Sequence, residues 1–105
     1  MQNKTIYINA LLDRYGTLLT KKQLHVCNLY YVEDLSLAEI AELESVSRTA
    51  IHDIIKRSEQ LLLKYENKLK IYESFLKRMK LYKEIKSIGD KEIINLIDKC
   101  IDTEI

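Results

Sequence analysis

Two serines frame the middle of this chain. Ser36 precedes Leu37-Ala38-Glu39, so a serine stands at a helix N-cap with a glutamate three residues on. In such a capping box each side chain satisfies an orphan backbone N–H of the other residue. The helix it opens, Leu37 to about Glu44, is barely two turns. Ser47 is a second N-cap, just past Glu44. The helix it opens meets no obvious stop before Gly89. Two capped helices so closely linked form a helix-turn-helix arrangement. Helices that cross this tightly need a small residue at the contact, and Ala41 supplies it. Ile40, Val46, Ile51 and Ile54 fill the flanking apolar positions. Two residues depart from the pattern: Ser45 where glycine would reach a left-handed conformation, and Glu44 where an apolar residue is common.

The rest of the chain is helical too. It has no proline and only two glycines, whereas hairpins and sheets use both heavily. The fold class is therefore all-α. A length of 105 residues allows one domain with an appended helical arm. Ile8, Leu11, Leu12 and Tyr15 share one face of a first helix over Lys4–Tyr15, with Gly16 as its C′ glycine. Thr20 caps a second helix from Lys21 to about Val32, whose apolar face holds Leu24, Cys27, Tyr30 and Tyr31. From Ile51 onward Ile55, Ser58, Leu62, Tyr65, Leu69, Tyr72, Leu76 and Met79 follow in steps of four and three, a 3.5-residue repeat. This predicts one long helix to about Ser87 that either bends or docks against another helix or another copy of itself, with Leu62, Tyr65, Leu69, Tyr72, Leu76 and Met79 as the seam of a homodimer or of helix packing. Asp90 caps a last helix, about Lys91 to Asp102, with Ile93, Ile94, Ile97 and Ile101 inward. The expected organisation is a helix-turn-helix domain over 1–60, with the motif at 36–57. A long-helix extension and a short C-terminal helix follow over 61–105, continuous with the first domain.

Charge is uneven although the net charge is only +1. Residues 1–46 carry four basic and six acidic side chains, residues 47–86 eleven and five, and residues 87–105 two and five. The basic excess in the middle fits a polyanion. If the second motif helix enters a major groove, its outward N-terminal residues meet bases and backbone: Ser47, Arg48, Thr49, His52, Lys56 and Arg57, with Asp53 opposing. Arg48 can read guanine or clamp a phosphate, while Ser47, Thr49 and Lys56 suit phosphates. Residues 35–57 nonetheless carry three basic and four acidic groups. An alternative basic face is Lys64, Lys68, Lys77, Arg78, Lys80 and Lys83.

Other chemistries find few candidates. Two isolated cysteines cannot make a four-ligand zinc site. His25 and Cys27 are two apart and so point to different faces of a helix. There is no glycine-rich phosphate loop. The expectation is no metal, no cofactor and no enzymatic activity. No run of about 18 apolar residues occurs, and Met1–Tyr7 does not read as a secretory signal. No membrane insertion and a cytoplasmic setting with reduced thiols are expected.

Leu29–Glu42 followed by Val46-Ser47-Arg48-Thr49-Ala50-Ile51 resembles the C-terminal promoter-recognition domain of sigma-70 factors. The whole chain resembles the YlxM family of small bacterial helix-turn-helix proteins. The matching features are Leu18-Leu19-Thr20-Lys21-Lys22-Gln23, Leu29-Tyr30-Tyr31, Ser36-Leu37, Glu39-Ile40-Ala41-Glu42, Val46-Ser47-Arg48, Ala50, Asp53, Ile55-Lys56-Arg57, Tyr65-Glu66 and Lys68-Leu69. The resemblance implies an all-α cytoplasmic bacterial protein, encoded beside a signal recognition particle GTPase and acting as a regulator in that pathway. The expected function is thus a helix-turn-helix regulatory protein that binds DNA or signal recognition particle RNA. The alternative is an accessory module that contacts the particle's RNA or GTPase through the basic long helix. A third reading is a protein-interaction module that recruits a helix to the seam at Leu62, Leu69 and Leu76.

Overall fold

The computed structural model describes residues 4–104, and all their regular structure is helical. The chain forms two compact units that meet in sequence between Leu69 and Lys70.

In the first unit, α1 spans Lys4–Tyr15 and buries Ile8, Leu11, Leu12 and Tyr15, the face its periodicity predicts. Gly16 is not a left-handed cap, because neither glycine has a positive φ. It opens a 3-10 turn, Gly16–Leu18, and a Cβ there would lie 3.0 Å from Leu24 Cδ1. The small residue serves close approach, not backbone handedness. α2, Lys21–Cys27, starts in a capping box between Thr20 and Gln23. It runs on as a π turn, Asn28–Val32, so helical backbone reaches the expected Val32. Asp34 then takes a left-handed conformation, φ 59°. α3 spans Leu37–Glu44 and α4 spans Arg48–Leu69.

Helices α1, α2 and α3 all pack against α4. Their shared core is Ile8, Leu11, Val26, Cys27, Ile40, Ile51 and Leu62, each at most 1% exposed. Burial pushes the Cys27 thiol up, partly offset by a hydrogen bond with Ser58. Tyrosine hydroxyls drawn inward find partners, whereas the buried Asn9 Oδ1 has none among the described residues. Tyr15 Oη donates to Glu66 Oε1 at 2.6 Å, and Tyr31 Oη donates to Glu59.

The helix expected to extend to about Ser87, either bending or docking on another helix, is interrupted. Lys70 adopts φ 56°, ψ 27°, and a separate helix, α5, spans Ile71–Ile88. A lysine in this conformation costs about 1–2 kcal/mol, and no glycine or proline advertises the break. Leu69 and Tyr72 stay three residues apart on either side, so the repeat reads straight through it.

In the second unit, α5 packs on α6, Lys91–Asp102, whose Asp90 cap accepts from the Ile93 N–H at 3.0 Å. Gly89 again serves close approach, since a Cβ there would sit 2.6 Å from Ile93 Cγ2. The isoleucines of α6 are less enclosed than expected: Ile93 is 41% exposed, Ile94, Ile97 and Ile101 are half-buried, and no α6 residue is buried. A helix with one partner covers only part of an apolar face. Glu104 fastens the end of the chain to α5, accepting from Arg78 Nε at 2.7 Å, Arg78 Nη2 at 2.9 Å and Tyr82 Oη at 2.5 Å.

Candidate nucleic-acid interface

The turn between α3 and α4 is set by Ser45, which is left-handed at φ 55°, ψ 41°. The Val46 N–H donates to the Ala41 carbonyl at 3.1 Å and the Ser45 N–H to Glu42 at 3.3 Å, a Schellman closure. Serine therefore does here what glycine usually does, at a conformational cost. Ser45→Gly should raise stability by up to about 1 kcal/mol, the relieved left-handed strain exceeding glycine's extra unfolded-state entropy. A denaturant midpoint at or below the wild-type value would contradict this.

Each motif helix begins in a designed cap. The Ser36 N–H donates to Glu39 Oε1 at 3.0 Å, and the Glu39 N–H to Ser36 Oγ at 3.1 Å. The Ser36 backbone N–H holds the Glu39 carboxyl below its ordinary 4.5. A depressed carboxylate stabilises above the unfolded value and loses that contribution as pH falls through the folded one. The Ser36 amide resonance should therefore titrate with a midpoint below 4.5, and Glu39→Gln should abolish the titration. Ser47 Oγ accepts from the Ala50 N–H at 3.0 Å.

Ile40, Ala41, Ile51 and Ile55 are buried in the crossing, with Val46 and Ile54 half-buried. Glu44, the acidic departure, is explained by His25 Nε2 at 3.3 Å, which ties α3 to α2.

The outward face carries Ser47, Arg48, Thr49, His52, Asp53, Lys56 and Arg57, all exposed. Asp53 Oδ2 lies 3.3 Å from Arg57 Nε, so the one acidic group on this face is paired. Arg48, Thr49, His52 and Lys56 have no side-chain partner among the described residues. A surface ion pair is worth at most about 1 kcal/mol, so Arg57 can be drawn to a stronger anion.

The alternative basic face is divided between the units. Lys64 and Lys68 lie on α4, while Lys77, Arg78, Lys80 and Lys83 lie on α5. Arg78 is held by Glu104, and Lys77 Nζ is 3.6 Å from Glu73 Oε1. Lys80 and Lys83 border a cleft with Met79, Lys86 and Ile101. The packing seam is likewise not a single helix's seam. Leu62 is in the first core, Tyr65 is half-buried 6.0 Å from the Tyr15 ring, and Leu69 is 53% exposed. Tyr72 is buried and stacks on Phe75, Leu76 is 43% exposed, and Met79 is half-buried. Among the described residues no cluster of histidine, cysteine and carboxylate could hold a metal ion, and no helix is long and apolar enough to cross a membrane.

Residues 2–100 match the family model described as "UPF0122: Putative helix-turn-helix protein, YlxM / p13 like". The chain belongs to the UPF0122 family. It is 48% identical over 102 residues to a UPF0122 protein of Clostridium acetobutylicum, covering 90% of this chain and 88% of the relative. To a UPF0122 protein of Oceanobacillus iheyensis it is 46% identical, covering 99% of this chain and all of the relative, 100%. To one of Malacoplasma penetrans it is 49% identical, covering 93% and 86% respectively. The YlxM resemblance expected from the residues is thus the family found. The UPF0122 description is of a motif and names no reaction. In this UPF0122 chain α3 and α4 are that motif. Sequence reasoning did not foresee that His25 would pair with Glu44 or that Gln23 would complete a second capping box. The Thr20–Gln23 spacing carried the latter signal; His25 lies nineteen residues from Glu44 and carried none.

Proposed function

We propose that this protein is a nucleic-acid-binding regulator whose recognition helix is the N-terminal part of α4, and that it acts in the signal recognition particle pathway. One observation carries the reading of the helix. Arg48, Thr49, His52 and Lys56 stand exposed and unpartnered on its first turns, while the one opposing carboxylate, Asp53, is paired with Arg57. Such an array can clamp phosphates and reach base edges once the helix enters a major groove. Its support is the open donor face on a rigid, doubly capped motif, which neither a folding role nor an internal ion pair requires. The pathway follows from the YlxM resemblance.

The test is anisotropy titration of the full chain into labelled duplex DNA and labelled signal recognition particle RNA across a salt series. Binding that weakens in Arg48→Ala/Lys56→Ala supports the proposal. RNA binding indifferent to Arg48 but lost in Lys80→Ala/Lys83→Ala would overturn it in favour of an accessory module working through α5. No binding to either nucleic acid would favour a protein-interaction module.

A further inference from the structure

The hairpin of α5 and α6 has two unlike sides. Leu81, Ile85 and Ile88 stand three, seven and ten residues after Arg78, on one stripe of α5. Ile93, Leu96 and Cys100 stand eleven, eight and four residues before Glu104, on one stripe of α6. Arg78 is bonded to Glu104, so both stripes lie on the same side of the hairpin. All six residues are exposed. Arg78 and Glu104, at the far end of this face, already neutralise each other. The opposite side, marked by Lys86 Nζ at 2.7 Å from Asp98 Oδ1, carries Lys83, Lys91 and Asp102.

Single apolar residues scattered over a surface need no explanation, but six gathered on one face, with the charges on the other, mark an interaction surface. Apolar stripes on two packed helices form half of the inside of a four-helix bundle. The seam expected to hold a second copy does not offer such a face, because Leu62 and Tyr72 are buried within one copy.

We infer that a second copy of this chain covers this face, the two α5–α6 hairpins closing into a four-helix bundle about a two-fold axis that runs along the helices. The charges at the rim select both the occupant and the axis. Glu84 borders the stripe of α5, three residues from Leu81 and four from Ile88, and Lys99 borders that of α6, three residues from Leu96. Both are exposed, and neither has a side-chain partner among the described residues. The Lys86–Asp98 pair sets the register of the two antiparallel helices. Glu84, two residues before Lys86, therefore stands level with Lys99 to within about one residue's rise, ~1.5 Å. A two-fold along the helices keeps every level and lays α5 of one copy on α6 of the other. Leu81, Ile85 and Ile88 then meet Ile93, Leu96 and Cys100 of the second copy, and Glu84 meets its Lys99. The symmetry makes each of these contacts twice. Every neighbouring pair of helices is antiparallel, as in an up-down bundle. A two-fold across the helices would instead bring Glu84 to Glu84 and Lys99 to Lys99, since both residues lie near the middle of the face.

The test is sedimentation equilibrium of the full chain over the micromolar range, where the wild-type protein should be a dimer. Leu81→Glu/Leu96→Glu should leave a monomer. Both leucines are exposed within one copy, so circular dichroism should show the helices intact. Glu84→Lys and Lys99→Glu should each raise the dimer dissociation constant about tenfold, because two attractive pairs become repulsive. Glu84→Lys/Lys99→Glu together should restore it to within about threefold; such a rescue cannot come from misfolding. Cys100 gives a second readout, being exposed while Cys27 is buried. Its alkylation should slow as protein concentration rises. A wild-type chain that stays monomeric overturns the inference and leaves the face to a helix of another protein. A dimer that survives Leu81→Glu/Leu96→Glu overturns it by placing the contact elsewhere. Charge reversals that fail to rescue each other overturn the two-fold along the helices, and the inference with it.

Discussion

Ile51→Ala lowers the free energy of unfolding of this protein by about 3 kcal/mol, the middle of the range for truncating a fully buried isoleucine. Ile51 is 0% exposed on the inner face of α4, where α3 crosses it. Removing its outer carbons forfeits transfer free energy and leaves a cavity that two short-linked helices cannot close by sliding. Alanine's better helix propensity returns at most about half a kcal/mol. The half-buried neighbour Ile54 provides the comparison: Ile54→Ala should cost clearly less. Urea unfolding followed by circular dichroism measures both, as a lower midpoint at unchanged slope. A loss below about 1 kcal/mol for Ile51→Ala would mean the crossing is looser than its burial implies.

Arg48→Ala/Lys56→Ala should reduce affinity for duplex DNA between about tenfold and a few hundredfold. A bidentate arginine contact is worth about 1–3 kcal/mol and each 1.4 kcal/mol is a factor of ten. A lysine–phosphate contact adds its own share and about 0.9 to the salt slope. The arithmetic applies because both side chains are unpartnered and exposed, so no internal bond is exchanged for the new one. For the same reason the double variant should keep its stability within about 0.5 kcal/mol. Affinity lost together with stability would assign these residues to the fold. Unchanged affinity with intact stability would move function away from the recognition helix.

The local chemistry of the chain was legible from its residues. Ser36 with Glu39, Ser47, Thr20 and Asp90 mark helix starts because short oxygen side chains satisfy the first N–H groups wherever they stand. The apolar spacing of Ile8, Leu11, Leu12 and Tyr15 placed α1 correctly, since periodicity follows from helix geometry alone. Family membership was carried by features such as Ser36-Leu37, Glu39-Ile40-Ala41-Glu42 and Val46-Ser47-Arg48, and the family model agrees. The exposure of Thr49 and Lys56 followed from their being out of phase with Ile51 and Ile55, whereas Arg48 and His52, three residues before those isoleucines, are exposed at the N-terminal end of α4. Three things were not legible in this way. A left-handed residue leaves no mark on spacing, so Lys70 could divide a 3.5-residue repeat that reads as one helix. Pairs distant in sequence, His25 with Glu44 and Asn9 with the Tyr31 carbonyl, arise only when separate helices converge. Charge counts treat all side chains alike. Packing draws Glu66 and Glu59 inward to Tyr15 and Tyr31, which a charge count does not register. Caps and periodicity are properties of neighbours along the chain, whereas which charges face solvent together depends on what the other helices have already covered.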